Sequence, residues 1–308
     1  MRLAVLGGTD KDKIVLSLLE DILSLGVDCK FVNVNHVSEI LNADAVYATR
    51  HALKIDYDLL SKRVRLINSY DSAKKARSKI KTTNILAASN IPQPDYVLAK
   101  DYESVNRFAR SKELSIMKFP YGCAGNSHAI LEPCMKGLVG HTSNGKFDVI
   151  NHHDHITIGK YYFLPPYLVQ EFISSEGTHT NDNVFRAYVV GREARFGTIR
   201  KKDCVKDIGD SLINIALGAR YEFIPELDKE ISSLAIRTAD AVGFDIGVVD
   251  LLKDKDGNYY VIECDCDGRF LMIDRKFMQL PDYSDKCNFN KMIGQRLVEI
   301  ASGADYRQ

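Results

Sequence analysis

The chain has no excess charge of either sign: 41 lysines and arginines stand against 41 aspartates and glutamates. That balance excludes a broad basic face of the kind that holds nucleic acid and leaves room only for a local basic cleft. No apolar run reaches the roughly 18 residues of a membrane helix, so no membrane span is expected. The opening Met1-Arg2-Leu3-Ala4-Val5-Leu6-Gly7-Gly8 is short and has no small-residue cleavage site behind it, so it reads as a buried strand rather than a signal peptide. The seven cysteines lack zinc-site spacing; Cys264 and Cys266 bracket an acid. Such scattered thiols point to a reducing, cytoplasmic compartment. Internal repeats and low-complexity tracts are absent too. With 45% hydrophobic and 27% charged residues over 308 positions, the composition is that of a globular protein of two or three subdomains.

The first part alternates strand and helix patterns. Strand candidates are Leu3–Leu6, Cys29–Val34, Asp44–Tyr47 and Val64–Ile67, and Ile14–Leu25 has helical spacing stopped by Gly26. Strands separated by helices favour a doubly wound parallel sheet. Gly7-Gly8 lacks the later glycines of a dinucleotide loop and reads as a tight βα turn. Ser72–Ser89 reads as one basic helix, broken by Ile91-Pro92-Gln93-Pro94. Strands are expected at Tyr96–Ala99, Leu114–Met117 and Tyr167–Ile173, and helices at Tyr102–Ser111 and Leu227–Val242. Val184–Val190 and Ala194–Arg200 suit a hairpin closed at Gly191. Residues 138–160 read as polar and irregular. The cluster His152, His153, Asp154 and His155 falls there, and because adjacent residues rarely converge on one ion it is not assigned a metal.

The most informative stretch is Phe244 to Phe270. Asp256-Gly257 between two apolar runs predicts a two-residue hairpin turn. That register sets Asp250 opposite Glu263, and strand alternation puts Asp265 on the same face. The same register assigns Phe244, Ile246, Val248, Leu252, Tyr259 and Val261 to that face. Apolar residues on both faces make these strands central, and clustered carboxylates there need positive compensation. A set of oxygens without His or Cys suits Mg²⁺ or Mn²⁺. The alternative is that the acids are paired with strand lysines or arginines, or sit at exposed strand ends.

Five motifs in order, between Ser69 and Phe270, resemble the ATP-grasp superfamily and within it the RimK-like carboxylate–amine ligases. They are Ala76-Arg77-Ser78-Lys79; Ile116-Met117-Lys118 with a following Gly-rich loop; Val169-Gln170-Glu171-Phe172-Ile173; Arg186 in Phe-Arg-Ala-Tyr-Val-Val-Gly; and Gly247-Val248-Val249-Asp250 followed by Glu263-Cys264-Asp265. The resemblance implies an N-terminal α/β domain (1–75) with a doubly wound parallel sheet. An ATP-grasp fold of two α+β subdomains (76–168 and 169–308) would follow, with ATP between them. It implies Lys79 and Lys118 on the phosphates, with Gly122, Gly125, Asn126 and Ser127 closing over them. The hinge would hold adenine through backbone groups of Glu171, Phe172 and Ile173, with Gln170 or Glu176 reaching base or ribose. Asp250, Glu263 and Asp265 would carry Mg²⁺ or Mn²⁺. Arg186, with Arg200 or Lys201, would steady the transferred phosphate and the tetrahedral intermediate; Arg269 would hold a substrate carboxylate.

The implied reaction joins a carboxylate to an amine through an acyl phosphate, on an amino acid, a peptide or a small metabolite. No nucleic acid or membrane partner is implied, and relatives are often homodimers or homotetramers. The alternatives are a kinase-like protein that stops after phosphoryl transfer and a nucleotide-binding regulatory module. Three departures stand out. Asp265 replaces the family's usual Asn, Val184 stands where an acid is common, and Cys266-Asp267-Gly268-Arg269-Phe270 lacks the Asn-x-Ser-Pro-Gly run. Asp250→Asn or Glu263→Gln is expected to weaken Mg²⁺-dependent ATP use by orders of magnitude with the fold intact.

Overall fold

The computed structural model describes residues 1–7, 13–33, 35–49, 57–121, 128–174, 183–201, 208, 220–266 and 289–305. Their strands form three sheets. The first contains β1 (Arg2–Gly7), β2 (Asp28–Asn33), β3 (Ala45–Ala48) and β4 (Arg65–Ile67), all parallel, in the order β2-β1-β3-β4. The short apolar runs and the helix α1 (Lys13–Ser24) between them produce this doubly wound arrangement, as their alternation predicts.

The second sheet is antiparallel and eight-stranded. It contains β5 (Tyr96–Ala99), β6 (Ser115–Lys118), β7 (His128–Cys134), β8 (Gly137–Thr142), β9 (Gly145–Asn151), β10 (Ile156–Ile158), β11 (Tyr161–Phe163) and β12 (Tyr167–Glu171), in the order β11-β10-β9-β8-β7-β6-β12-β5. Three strands, β8 to β10, occupy the stretch expected to be irregular. Their polar residues are the solvated side of half-buried strands: Leu138, Gly140, Ile156 and Ile158 turn inward while Lys146, Asp148 and Ile150 alternate outward. Helix α5 (Tyr102–Arg110) covers the face carrying Met117, Ala129, Leu131 and Val169.

The third sheet contains β13 (Asn183–Val190), β14 (Gly197–Lys201), β15 (Arg220–Ile224), β16 (Ile246–Lys253) and β17 (Tyr259–Asp265), in the order β15-β14-β13-β16-β17. One face packs against α6 (Lys229–Val242), whose apolar stripe Ile231, Leu234, Ala235 and Val242 is buried and whose end is capped by Gly243 at φ 91°. The predicted basic helix is two helices, α3 (Tyr70–Arg77) and α4 (Lys79–Ala88). Ser78 caps the end of one and the start of the other, its hydroxyl accepting from the Lys81 amide at 3.3 Å. Both pack beside edge strand β17.

The other face of the third sheet shares a core with the first sheet, α1 and α7 (Phe289–Ala301): Tyr188, Phe196, Ile246 and Val248 meet Tyr47, Ile67, Phe289 and Ile293. Asn68, fully buried after β4, fastens this junction. Its Nδ2 donates to the carbonyls of Ile246 (2.6 Å) and Cys266 (3.0 Å), and its Oδ1 accepts from the amides of Asp245 (2.8 Å) and Ile246 (2.9 Å). Among the described residues, no helix is long and apolar enough to cross a membrane.

Candidate active site

The acids arrive by a route different from the one predicted. Asp256-Gly257 is not a two-residue turn. Residues 254–258 form the loop, with the Asp254 carboxylate accepting the amides of Asp256 and Asn258 at 2.9 and 2.8 Å. Pairing therefore starts one residue off, at Lys253↔Tyr259. A bulge after Leu251↔Val261 absorbs Ile262 and restores the expected Asp250↔Glu263, Val249↔Cys264 and Val248↔Asp265. Tyr259 and Val261, before the bulge, join Val249, Leu251 and Cys264 on the α6 side, opposite to the face predicted for them, and so does Phe244, which precedes β16 and is not bound by its alternation.

Asp250, 4% exposed, is held by two arginines. Arg186, its cross-strand neighbour on β13, donates from Nε to Oδ1 (2.7 Å) and from NH2 to Oδ2 (2.8 Å), and Arg200 donates from NH2 to Oδ2 (2.5 Å). Gly197 brings β14 close enough for this, because a Cβ there would lie 2.3 Å from the Arg186 carbonyl oxygen. Burial raises the Asp250 carboxyl, but the two guanidiniums outweigh it and leave it at about 2. The Nε of Arg200 is buried without a hydrogen-bond partner, as is the hydroxyl of Thr198 next to Arg186. Glu263, more exposed, accepts from Lys79 Nζ through Oε1 at 2.6 Å. Burial raises its carboxyl, and Lys79 carries it below the usual carboxylate range. Among the described residues no three acid, His or Cys side chains are gathered closely enough to hold a metal by themselves. Asp250, Glu263 and Asp265 share a face, but protein cations partner the first two.

Lys201 is corrected. Alternation along β14 turns it away from Arg200, and its Nζ binds Glu222 Oε2 at 2.6 Å. It does not join the Asp250 cluster.

Lysines line the facing wall. Lys79 opens α4 and is 6% exposed, so it is no surface charge; its amide donates to the Pro120 carbonyl at 3.0 Å, tying it to the end of β6. Lys118, 7% exposed, ends β6. No hydrogen bond or ion pair holds its ammonium among the described residues. Burial pulls it down to about 8, with Lys79 adding to the fall and Glu263 and Asp250 opposing it. Two residues back along β6 the same face is apolar: Ile116 and Ile130 meet Leu114, Phe172 and Ile208. Gln170, paired with Ile116 and 2% exposed, leaves its buried Oε1 without a partner there.

The Glu171 amide donates to the Asp95 carbonyl (2.7 Å), the Phe172 amide donates to the Leu114 carbonyl (3.1 Å), and the Glu171 carboxylate binds Lys112 (3.2 Å). Those two amides are therefore not donors to a base. Gly122, Gly125, Asn126, Ser127, Glu176 and Arg269 lie outside the described residues. The histidine cluster forms the β9–β10 turn, with His152 and His155 stacked at 4.3 Å and His155 Nδ1 at 2.7 Å from Asp154.

A model of the RimK-like ATP-grasp domain matches residues 76–279. The chain belongs to the RimK-like ATP-grasp family. Its fold is accordingly the ATP-grasp fold, with a parallel N-terminal sheet before the two antiparallel ones. Among similar proteins, the alpha-aminoadipate–LysW ligase LysX of Saccharolobus solfataricus is 27% identical over 202 residues, covering 64% of this chain and 64% of LysX. The tetrahydromethanopterin:alpha-L-glutamate ligase of Methanocaldococcus jannaschii is 27% identical over 203 residues, covering 64% of this chain and 61% of that protein. The chain thus matches less than two thirds of the length of these curated relatives. The ATP-grasp ligase PsnB, solved with a minimal precursor, Mg and ADP, superposes with a TM-score of 0.63 at 16% identity, covering 97% of each chain. The RimK-like match includes Lys79, Lys118, Arg186, Arg200, Asp250, Glu263 and Asp265.

Proposed function

We propose that the protein is an ATP- and Mg²⁺-dependent ligase that joins a carboxylate to an amine through an acyl phosphate. The observation that carries the reading is Lys118: a buried ammonium with no hydrogen-bond or ion-pair partner among the described residues, beside Lys79 and across from Glu263. An uncompensated buried cation is costly, and phosphate oxygens would satisfy it. The neighbouring surface fits the rest of a nucleotide. Ile116, Ile130 and Phe172 offer an apolar bed for a base, with the unsatisfied Gln170 amide at its margin. We read residues 76–168 and 169–308 as the two halves that enclose ATP.

The acids supply only oxygen donors, which suits a hard divalent cation held by Asp250, Glu263 and Asp265. Bound there, Mg²⁺ would draw charge from the phosphates. The protein's own groups do the rest. Lys79 and Lys118 hold the phosphates against the acid wall. Arg186 and Arg200 are locked by Asp250, so they enter the reaction already oriented, and the unpaired Nε of Arg200 is a fixed donor for an oxyanion. The carboxylate, a poor electrophile, would attack the γ-phosphorus of ATP and release ADP, and the amine would then displace phosphate at the acyl carbon of the resulting acyl phosphate, losing a proton as the amide forms.

The amine and carboxylate are read as amino acids, a peptide or a small metabolite. The names of LysX and the methanopterin ligase specify acidic amino acids, and PsnB was solved with a precursor. The test is a panel of amino-acid and peptide carboxylates incubated with ATP, Mg²⁺ and hydroxylamine. A carboxylate-dependent hydroxamate with matching ADP release is the expected result. ADP release that needs no nucleophile favours phosphoryl transfer alone, and ATP binding without turnover across the panel favours a regulatory module.

A further inference from the structure

One side chain on the nucleotide wall has no place in the roles above. His128 opens β7, directly after the Gly-rich segment of the sequence, and pairs with Lys118 of β6. Directly paired residues of an antiparallel ladder project to the same face, with Cβ atoms about 5 Å apart. His128 and Lys118 therefore share a face of the sheet, one row along from the Ile116–Ile130 bed. The other cross-strand neighbour of Lys118 is Leu168, which offers no polar atom. Of the two residues directly paired with Lys118, His128 is the one that carries a side-chain donor for a phosphate that reaches the lysine. His128 also lies within electrostatic reach of Glu263 on the opposite wall, and lowers that carboxyl. Helix α5 covers the reverse face of this sheet, so His128 is on the cleft side.

We propose that His128 is a further nucleotide-binding residue, whose imidazole N–H donates to the terminal phosphates of ATP beside Lys118. The inference rests on the ATP reading above and adds one contact to it. In the sequence the only signal is a polar residue opening a strand that otherwise continues Ala129-Ile130-Leu131.

The test uses the full chain and calorimetric titration with the Mg²⁺ complex of a non-hydrolysable ATP analogue, and separately with AMP. His128→Ala and His128→Phe remove the donor, the second keeping a ring of similar size so that packing survives. His128→Gln restores an N–H. In both donor-free variants the analogue binds roughly 10- to 100-fold more weakly, the range for a hydrogen bond to a charged group. AMP affinity stays within about twofold of the parent, and Gln recovers part of the loss. Unchanged analogue affinity in the Phe variant overturns the inference, as does an equal loss for AMP and analogue. A parent protein that binds neither nucleotide sinks the ATP reading itself, whereas a binding parent with indifferent variants sinks the His128 contact alone.

Discussion

The two walls of the cleft treat buried charge in opposite ways. On the third sheet, Asp250 has both oxygens engaged by Arg186 and Arg200, so protein cations already offset its charge. On the second sheet, Lys118 is as deeply buried and has no hydrogen-bond or ion-pair partner among the described residues. One wall is a finished ion cluster that fixes the direction of two guanidiniums; the other is an unfinished one that a phosphate would complete. The comparison separates residues whose loss damages the fold from residues whose loss damages only binding.

The largest effect is expected at Asp250. Asp250→Asn strands two buried guanidiniums, and breaking a buried pair from one side costs about 3–5 kcal/mol. Denaturant unfolding should show that loss together with loss of activity, so the sequence-based expectation of an intact fold does not extend to this residue. The parent should also weaken in acid. With its carboxyl held at about 2, below the unfolded value, Asp250 contributes stability above the usual carboxylate range that is lost as pH falls towards 2. A variant as stable as the parent breaks the picture of a closed cluster.

Glu263→Gln should damage the fold less. Its side chain is about a third exposed, although the Lys79 ammonium it leaves behind is buried, so the expected loss is about 1–3 kcal/mol, below that at Asp250. Mg²⁺-dependent ATP turnover should still fall by roughly two orders of magnitude or more. Steady-state kinetics beside a melting curve gives both numbers, and a large stability loss with turnover kept would reverse the distinction between the two acids.

Lys118 sharpens the contrast, because removing a charge should help the ligand-free fold. Lys118→Met deletes an unpaired buried ammonium and is expected to stabilise the nucleotide-free protein by on the order of 1–3 kcal/mol below pH 8, while nucleotide affinity collapses. The sign follows from the proton count. The folded value, about 8, lies below the ordinary lysine value of 10.5, so the unfolded chain binds more protons between them. In the parent this residue's penalty is complete below pH 8 and is relieved as pH rises towards 10.5. Nucleotide affinity should fall over the same range as the free ammonium loses its proton. Lys118→Arg, which stays charged, should flatten that fall. A Met variant less stable than the parent at pH 7 would show that the ammonium is already compensated.

Much of the third sheet was legible in the sequence. Alternation and one hairpin paired Asp250 with Glu263, and motif order brought Lys79 and Lys118 to the same region. The pairing was right although the turn was wrong, because a loop one register out and a bulge around Ile262 cancel by the time the chain reaches Glu263. Tyr259 and Val261, between the two irregularities, were assigned to the wrong face for that reason. Strands β8 to β10 were missed because half-solvated strands look polar, and α3 and α4 were fused because Ser78 interrupts a helix without Gly or Pro. Which cation meets which acid was beyond reach: Arg186, Arg200 and Lys79 are distant in sequence from their partners, and only the packed sheets bring them together.

The smallest expected effect tests alternation itself. Arg200 and Lys201 are neighbours in sequence and both cationic, yet the pleat sends one to Asp250 and the other to Glu222 on the opposite face. The Lys201–Glu222 pair is about a third exposed on each side, where an ion pair contributes under about 1 kcal/mol. Lys201→Gln should therefore change stability by no more than about 0.5 kcal/mol, with nucleotide affinity and turnover as in the parent. Arg200→Gln in parallel should abolish turnover and destabilise the fold, since it exposes Asp250 to half of its desolvation cost without the compensating charge. If Lys201→Gln instead loses turnover at unchanged stability, the lysine reaches the reacting groups when substrates bind, and the face assignment of β14 no longer decides which of the two cations acts.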